Sequence, residues 1–328
     1  MAEIVLQPPY TELRKAPRID LASAVPLAWP FTINIDPTNI CNFHCSCCVQ
    51  SLPDYKERAG YHQHMSIELY RRIIDEIRSF GGVKSLKLYA FGESLLHPNI
   101  GEMARLADTA SERVELTTNG TPLTAALAQQ LIDAATDYLR ISIYKDTEDQ
   151  HSYTGLIRRN VQRLRDLRDD QNKTKPYIVV KVFTPAELPA VKDFYDGIAD
   201  EVEVEGFHSI GSDRIPTEQL TGPQVACTYA FYTMVVKSNG DVVPCCGAWE
   251  TSLVAGNLND STLAEIWRGE KLANIQRLHL MGRRRSLPAC ARCDTLFNTP
   301  DSIDALSVCE YDSRCERRRV APEPARAA

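Results

Sequence analysis

The sequence predicts an α/β chain: a parallel sheet of six strands, each followed by a helix, with a smaller hairpin-and-helix unit behind it. Three observations carry this. Apolar runs of strand character alternate with segments of helical spacing up to about residue 205. A dense cysteine loop follows the first strand, at the end where barrels of such units carry their reactive loops. After residue 210 the alternation stops, and a tight-turn signal flanked by more cysteines begins.

Residues 1–30 are Pro-rich and read as an irregular N-terminal arm. Phe31 to Asp36 is the first strand, and the polar, Gly-punctuated stretch Ser51 to His64 reads as a flexible cover. Ser66 caps a helix whose apolar positions Ile67, Tyr70, Ile73, Ile74 and Ile77 keep helical spacing, and Gly81-Gly82 ends it. Strands follow at Ser85 to Tyr89, Val114 to Thr117, Leu139 to Ile143, Tyr177 to Val182 and Glu201 to Glu205. Helices lie between them at Ile100 to Ala110, Thr124 to Ala135, Arg158 to about Lys173, and residues 187–199. The fifth strand is almost wholly apolar, as expected when both faces are covered. Right-handed crossovers then build a partial (β/α)6 TIM-type barrel over residues 31–210. Residues 211–300 form the second unit, with helices at Thr262 to Arg268 and Leu272 to Leu280, and 301–328 a tail expected to be disordered from Arg317.

At 328 residues the chain has room for one large domain and an appendage. A net charge of −6, with Lys and Arg dispersed, argues against nucleic acid as the main partner. No apolar run approaches a membrane span, and Met1 to Arg18 lacks a signal peptide's apolar core. Eleven cysteines without an export signal point to metal or redox use in a cytoplasmic protein.

Cys41, Cys45 and Cys48 stand in a C-x3-C-x2-C array. So short a loop can set three thiolates around one iron–sulfur cube and leave one iron open. The alternative is a zinc loop or buried thiols that pack as small apolar side chains. The array on a strand-to-loop junction resembles the signature of the radical S-adenosylmethionine (SAM) superfamily. That resemblance implies a [4Fe–4S] cluster whose open iron takes the amino and carboxylate groups of SAM, and a 5′-deoxyadenosyl radical that abstracts hydrogen from substrate. It also implies SAM contacts at Gly92 and Glu93, in a turn where the family usually shows Gly-Gly-Glu and this chain has Phe91 first. Ser142 in the fourth strand and Lys181 in the fifth are further expected SAM contacts, near the Thr118-Asn119-Gly120 end of the third. The residue before the last loop cysteine, commonly aromatic in the family, is Cys47; Phe43 or a later strand would supply the adenine wall instead.

In the second unit Asn239-Gly240 marks a hairpin, with Cys227 before it and Cys245 and Cys246 just after. With Cys290 and Cys293 in a distant C-x2-C, this makes a four-thiolate cage. By spacing, zinc and an iron–sulfur cluster suit it equally. The arrangement resembles the auxiliary-cluster extension called SPASM in its shortened twitch form, which implies a second [4Fe–4S] cluster on Cys227, Cys245, Cys290 and Cys293. Cys309 and Cys315 stay unassigned, as solvent-side structural thiols.

By the same resemblance, Cys246 faces the substrate cavity, where a thiol can return a hydrogen atom. The leading expectation is a radical SAM epimerase that inverts a carbinol centre of a sugar, aminoglycoside or nucleoside-type metabolite, with Cys246 as donor. The runner-up is a dehydrogenase that oxidises a secondary alcohol of an aminocyclitol or sugar through the auxiliary cluster, with Arg214, His208 or Asp213 taking the proton. Expected partners are a small carbohydrate-like substrate and a flavodoxin or ferredoxin donor.

Overall fold

A computed structural model describes residues 7–13, 17–143, 148–205, 226–293 and 302–320, with the side chains of 148–152 and 318–320 left aside. Six parallel strands, β1 (Thr32–Ile35), β2 (Ser85–Leu88), β3 (Val114–Thr118), β4 (Tyr138–Ser142), β5 (Tyr177–Val182) and β6 (Glu201–Val204), follow the predicted order. The second unit adds β7 (Thr233–Val236), β8 (Asp241–Val243) and β9 (Gly256–Asn257). Strand β7 pairs in parallel with β1, so a single sheet runs β6-β5-β4-β3-β2-β1-β7-β8-β9. The sequence reading contains the β7–β8 hairpin but neither β9 nor the β1–β7 junction.

Helices cover the outer face. Ile67–Ser79 starts where the Ser66 hydroxyl accepts from the Leu69 N–H at 3.1 Å, and it buries Leu69, Tyr70, Ile73, Ile74 and Ile77. It ends at Gly81 and Gly82, whose φ of 94° and 86° favour glycine. Ile100–Asp108, Ala125–Asp133, Glu148–Asp170 and Leu188–Phe194 complete the layer. Glu148–Asp170 begins ten residues before the predicted start at Arg158, because its first turns are polar and lack an apolar stripe. Outward-facing Leu86, Leu88, Leu116, Leu139, Ile141, Ile178 and Val180 join the helices in the main core.

The inner face of the barrel is polar, as the alternation in Val114–Thr118 and Glu201–Val204 requires. Arg140 donates to Glu203 at 2.9 Å and to Glu205 at 2.8 Å, and Lys181 reaches Glu205 at 2.8 Å. Despite burial, Lys87, Arg113 and Arg140 hold the Glu115 carboxyl down to about 2. The arm is more ordered than its composition predicts, with short helices at Tyr10–Leu13 and Leu21–Ala24. Tyr10 plugs the barrel interior: its hydroxyl donates to Glu115 at 2.9 Å, and Arg140 lies 4.5 Å from its ring.

Two other expectations change. The Ser51 to His64 cover is packed: Tyr55–Ala59 is helical, and Tyr55, Ala59 and Tyr61 are buried against Phe91, Val243 and Trp249. Its polar composition hides two tyrosines that face inward, whereas His62 and His64 are exposed. Within the tail, Val308–Val320 is a helix, held by buried Tyr311 and by Arg314, which donates to the carbonyls of Ala22 and Val25. Cys309 on this helix is exposed, and Cys315 packs partly against the main core. Among the described residues no helix is long and apolar enough to cross a membrane.

Candidate functional site

Strand β1 delivers the chain to the cysteine loop through Asp36, which is wholly buried. Its carboxylate accepts from the Phe91 N–H at 3.0 Å and from the Tyr61 hydroxyl at 3.3 Å. One side chain thereby ties together the end of β1, the turn after β2 and the cover. Burial pushes the Asp36 carboxyl up to about 6, against the opposing pull of those hydrogen bonds and of Lys237.

The loop itself is braced on two sides. Asn42 donates to the Thr121 hydroxyl at 2.8 Å and accepts from Asn119 at 2.9 Å, which fastens the loop to the end of β3. Gln50 donates to the carbonyls of Asn39 and Phe91. Cys45 is buried, and Cys41 and Cys48 are partly so. Burial pushes the Cys41 thiol up to about 12. Phe43 is buried with its ring centroid 5.6 Å from that of Tyr153.

At Gly92 a Cβ would lie 2.1 Å from the Thr38 carbonyl oxygen and 2.7 Å from that of Ile40. Only glycine allows this approach, and it places the Glu93 N–H 2.9 Å from the Ile40 carbonyl. Phe91, which departs from glycine, fills the small core between the cover and the second unit. The buried Glu93 carboxylate accepts from the Leu95 N–H at 3.0 Å, the Thr118 hydroxyl at 2.6 Å and the Asn119 N–H at 2.7 Å. Burial pushes its carboxyl up, and these three bonds pull it back. Three of about four lone-pair positions on Glu93 are thus committed to protein. Ser142 and Lys181 are register partners on β4 and β5, both buried, and Lys181 is drawn down from the ordinary lysine range by burial.

In the second unit Cys227, Cys245, Cys290 and Cys293 line one cavity with Leu253, His279 and Arg284. A Cβ on Gly247 would lie 3.6 Å from the Cys245 sulfur and 3.7 Å from the Cys293 sulfur. Among the described residues no three Cys, His, Asp or Glu side chains converge as a single metal ion needs. Four thiols around a cavity, rather than around a point, are a donor set that could hold an iron–sulfur cube. Burial pushes Cys227 up to about 11 and Cys290 up to about 12, so filling the cage with metal expels protons.

Cys246, next in sequence to Cys245, is the boundary residue. Burial pushes its thiol up to about 11; Cys293 of the cage and Glu205 beyond β6 push the same way, and Lys87 of β2 opposes them. Cys245 lines the cage cavity, while the neighbouring Cys246 thiol, partly buried, feels charges of the barrel interior, Lys87 and Glu205. The two units are further joined by Arg58, which donates to Glu250, by the Tyr55–Trp249 stack at 5.6 Å, and by Lys237, which donates to the Trp249 and Glu250 carbonyls. Asp36, Asn42, Gln50 and Arg58 escape a reading of motifs because each acts by tying together segments that are distant in sequence. The predicted proton acceptors His208, Asp213 and Arg214 lie outside the described residues.

Comparison with known proteins identifies both parts. Residues 35–194 match the radical SAM superfamily, and residues 227–294 match SPASM, an iron–sulfur cluster-binding domain. The tungsten-containing aldehyde ferredoxin oxidoreductase cofactor-modifying protein of Pyrococcus furiosus is 21% identical over 85% of this chain and 90% of its own length. The S-adenosyl-L-methionine-dependent 2-deoxy-scyllo-inosamine dehydrogenase of Niallia circulans is 21% identical over 80% of this chain and 92% of its own. The crystal structure of BtrN in complex with AdoMet and 2-DOIA superposes with a TM-score of 0.58 at 18% identity, covering 84% of this chain and 96% of that one. This chain belongs to the radical SAM superfamily: it is an enzyme whose cofactors are SAM, a [4Fe–4S] cluster and, through its SPASM-type extension, an auxiliary iron–sulfur cluster.

Proposed function

We propose that this enzyme oxidises a secondary alcohol of an aminocyclitol or sugar to the ketone. The observation that carries the reading is the Cys245-Cys246 pair: Cys245 lines the cage cavity, and the thiol next to it feels Lys87 and Glu205 of the barrel interior. Likeness to a dehydrogenase of an aminocyclitol over 92% of that relative's length supports it. Epimerisation, the leading expectation from sequence, becomes the second reading.

A carbinol becomes a ketone when its carbon loses a hydrogen atom and the resulting radical loses one proton and one electron. When bound, SAM on the loop cluster supplies the hydrogen-atom abstraction, and the auxiliary cluster supplies the electron sink. We assign Cys41, Cys45 and Cys48 to the first cluster and Cys227, Cys245, Cys290 and Cys293 to the second. Ser142 and the Gly92-Glu93 turn lie at the strand ends that would receive SAM. The Lys181–Glu205 pair takes the alcohol proton: the two groups are held at 2.8 Å, and burial draws the lysine down from its ordinary range while Glu205 opposes that shift. The polar interior recognises hydroxyl and amino groups, and a flavodoxin or ferredoxin reduces the first cluster.

The second reading rests on the position of Cys246, a thiol between cage and interior that would return hydrogen to the opposite face of the carbon. Anaerobically reconstituted enzyme, SAM, reductant and a panel of aminocyclitols and sugars separate the two by product mass. Loss of two hydrogens per deoxyadenosine supports oxidation. Unchanged mass in water, with one deuterium gained in deuterium oxide, supports inversion and overturns the proposal.

A further inference from the structure

The cage contains two polar side chains that are not needed as ligands. His279 closes the last turn of the helix Glu270–Leu280 and is 3% exposed. Its Nδ1 accepts the Cys227 backbone N–H at 3.0 Å, so the ring proton of the neutral imidazole resides on Nε2. That nitrogen lies 3.5 Å from the Cys290 sulfur. The ring is therefore oriented by one cage residue and donates to the thiol of another.

Beyond the helix, Gly282 at φ 68° turns the chain back, and Arg284 enters the cavity wall. It is 1% exposed. Its Nη1 donates to the Cys290 carbonyl at 2.6 Å, which leaves Nε and Nη2 buried without a hydrogen-bond partner among the described residues. A buried guanidinium with two idle donors is costly unless an anion lies beside it. The unassigned anion of this cavity is a cluster carrying four thiolates, which becomes more negative by one charge on reduction.

We propose that His279 and Arg284 are positioning residues that raise the reduction potential of the auxiliary centre, by an N–H···S bond to Cys290 and by a fixed positive charge in the cavity wall. Hydrogen bonds to cluster sulfurs, local charge and exclusion of solvent are the protein's means of setting such potentials. Both groups stabilise the reduced form more than the oxidised one. This rests on the assignment of the four cysteines to one cluster. It deepens the oxidation reading, because a centre that drains a substrate radical must be readily reduced.

The test uses the full chain with Cys41, Cys45 and Cys48 changed to alanine and the cage reconstituted anaerobically, so that a single centre titrates. Iron and sulfide are counted first, and the midpoint is then read by mediated titration. His279→Phe and Arg284→Met should each lower the ratio of reduced to oxidised centre at fixed potential at least tenfold, a shift of about 59 mV for a one-electron couple. Arg284→Lys should keep most of the wild-type midpoint. After exchange into deuterium oxide, electron–nuclear double resonance on the reduced centre should show an exchangeable proton coupling that is lost in His279→Phe. Fully loaded variants with unchanged midpoints overturn the proposal. If a variant fails to load, absence of the exchangeable coupling in the unsubstituted cage overturns it independently. Cys245→Ala/Cys290→Ala in the same background should hold no iron; retention of a full complement would sink the cage assignment and leave the donor pair without a target.

Discussion

Replacing Asp36 by asparagine should stabilise the protein, although Asp36 is buried and bonded on both oxygens. Asparagine has the same shape. Its oxygen can still accept the Phe91 N–H, and its amide can donate to the Tyr61 hydroxyl. What changes is the charge. Folding moves the Asp36 carboxyl from 3.8 to about 6, because burial penalises the ionised form. The folded state binds this proton more tightly, so its contribution is complete below the unfolded pKa and is lost as pH rises through the folded value. At about 1.36 kcal/mol per pKa unit the full loss is about 3 kcal/mol, reached near pH 8. About half of it is already lost at pH 5. The attraction of Lys237 is contained in that shift and is not counted again. Asp36→Asn should therefore gain up to about 3 kcal/mol at pH 8 and half as much at pH 5. Urea unfolding of the wild type and the variant at several pH values measures this. A destabilised variant, or a difference that does not grow with pH, would show that Asp36 is held ionised by the charge of Lys237 and would refute the reasoning.

Three further outcomes are expected. Gly92→Ala must push the turn away from the Thr38 and Ile40 carbonyls, and losing the buried Glu93 N–H bond alone costs about 1–3 kcal/mol. SAM cleavage by the loaded enzyme should fall at least tenfold with it, and a variant with wild-type Tm and cleavage would contradict the packing described. Arg140→Met leaves Glu203 and Glu205 without their shared guanidinium and should cost about 3–5 kcal/mol in urea unfolding, whereas a loss below 1 kcal/mol would mean that water already solvates the barrel interior. Cys246→Ala should keep full iron content and continue to form ketone within about tenfold of the wild-type rate, the span of a packing change of about 1.4 kcal/mol. Loss of all product would return Cys246 to a direct chemical role.

Local regularities made much of this molecule legible. The buried face of Ile67–Ser79 is a 3.6-residue stripe, and Tyr177–Val182 is an apolar run interrupted only by Lys181, so each declares its partner layers. Cysteine spacing marked the loop because its three thiols are close in sequence, and the cage because a hairpin between Cys227 and Cys245 and the pair Cys290 and Cys293 are each local patterns. Long-range and polar-group decisions were not legible. Nothing in Thr233–Val236 announces that it lies beside Thr32–Ile35 some two hundred residues earlier, since neither short strand carries a pattern that names its partner. Glu93 reads as a cofactor contact from its motif, yet most of its carboxylate is spent on Leu95, Thr118 and Asn119. His279 and Arg284 precede the C-x2-C pair on an ordinary amphipathic helix and the turn after it, and only the fold-back at Gly282 brings them to the sulfurs.

The β1–β7 seam has a consequence for how such a chain can diversify. Neighbouring strands keep a spacing of about 4.8 Å, so the gap between the two thiol sites is gauged by the ladder itself, as on a ruler. Loops at the strand ends can be rebuilt to admit a different guest while that gauge stays constant. Specificity and electron transfer can therefore drift separately in this architecture, each under its own selection.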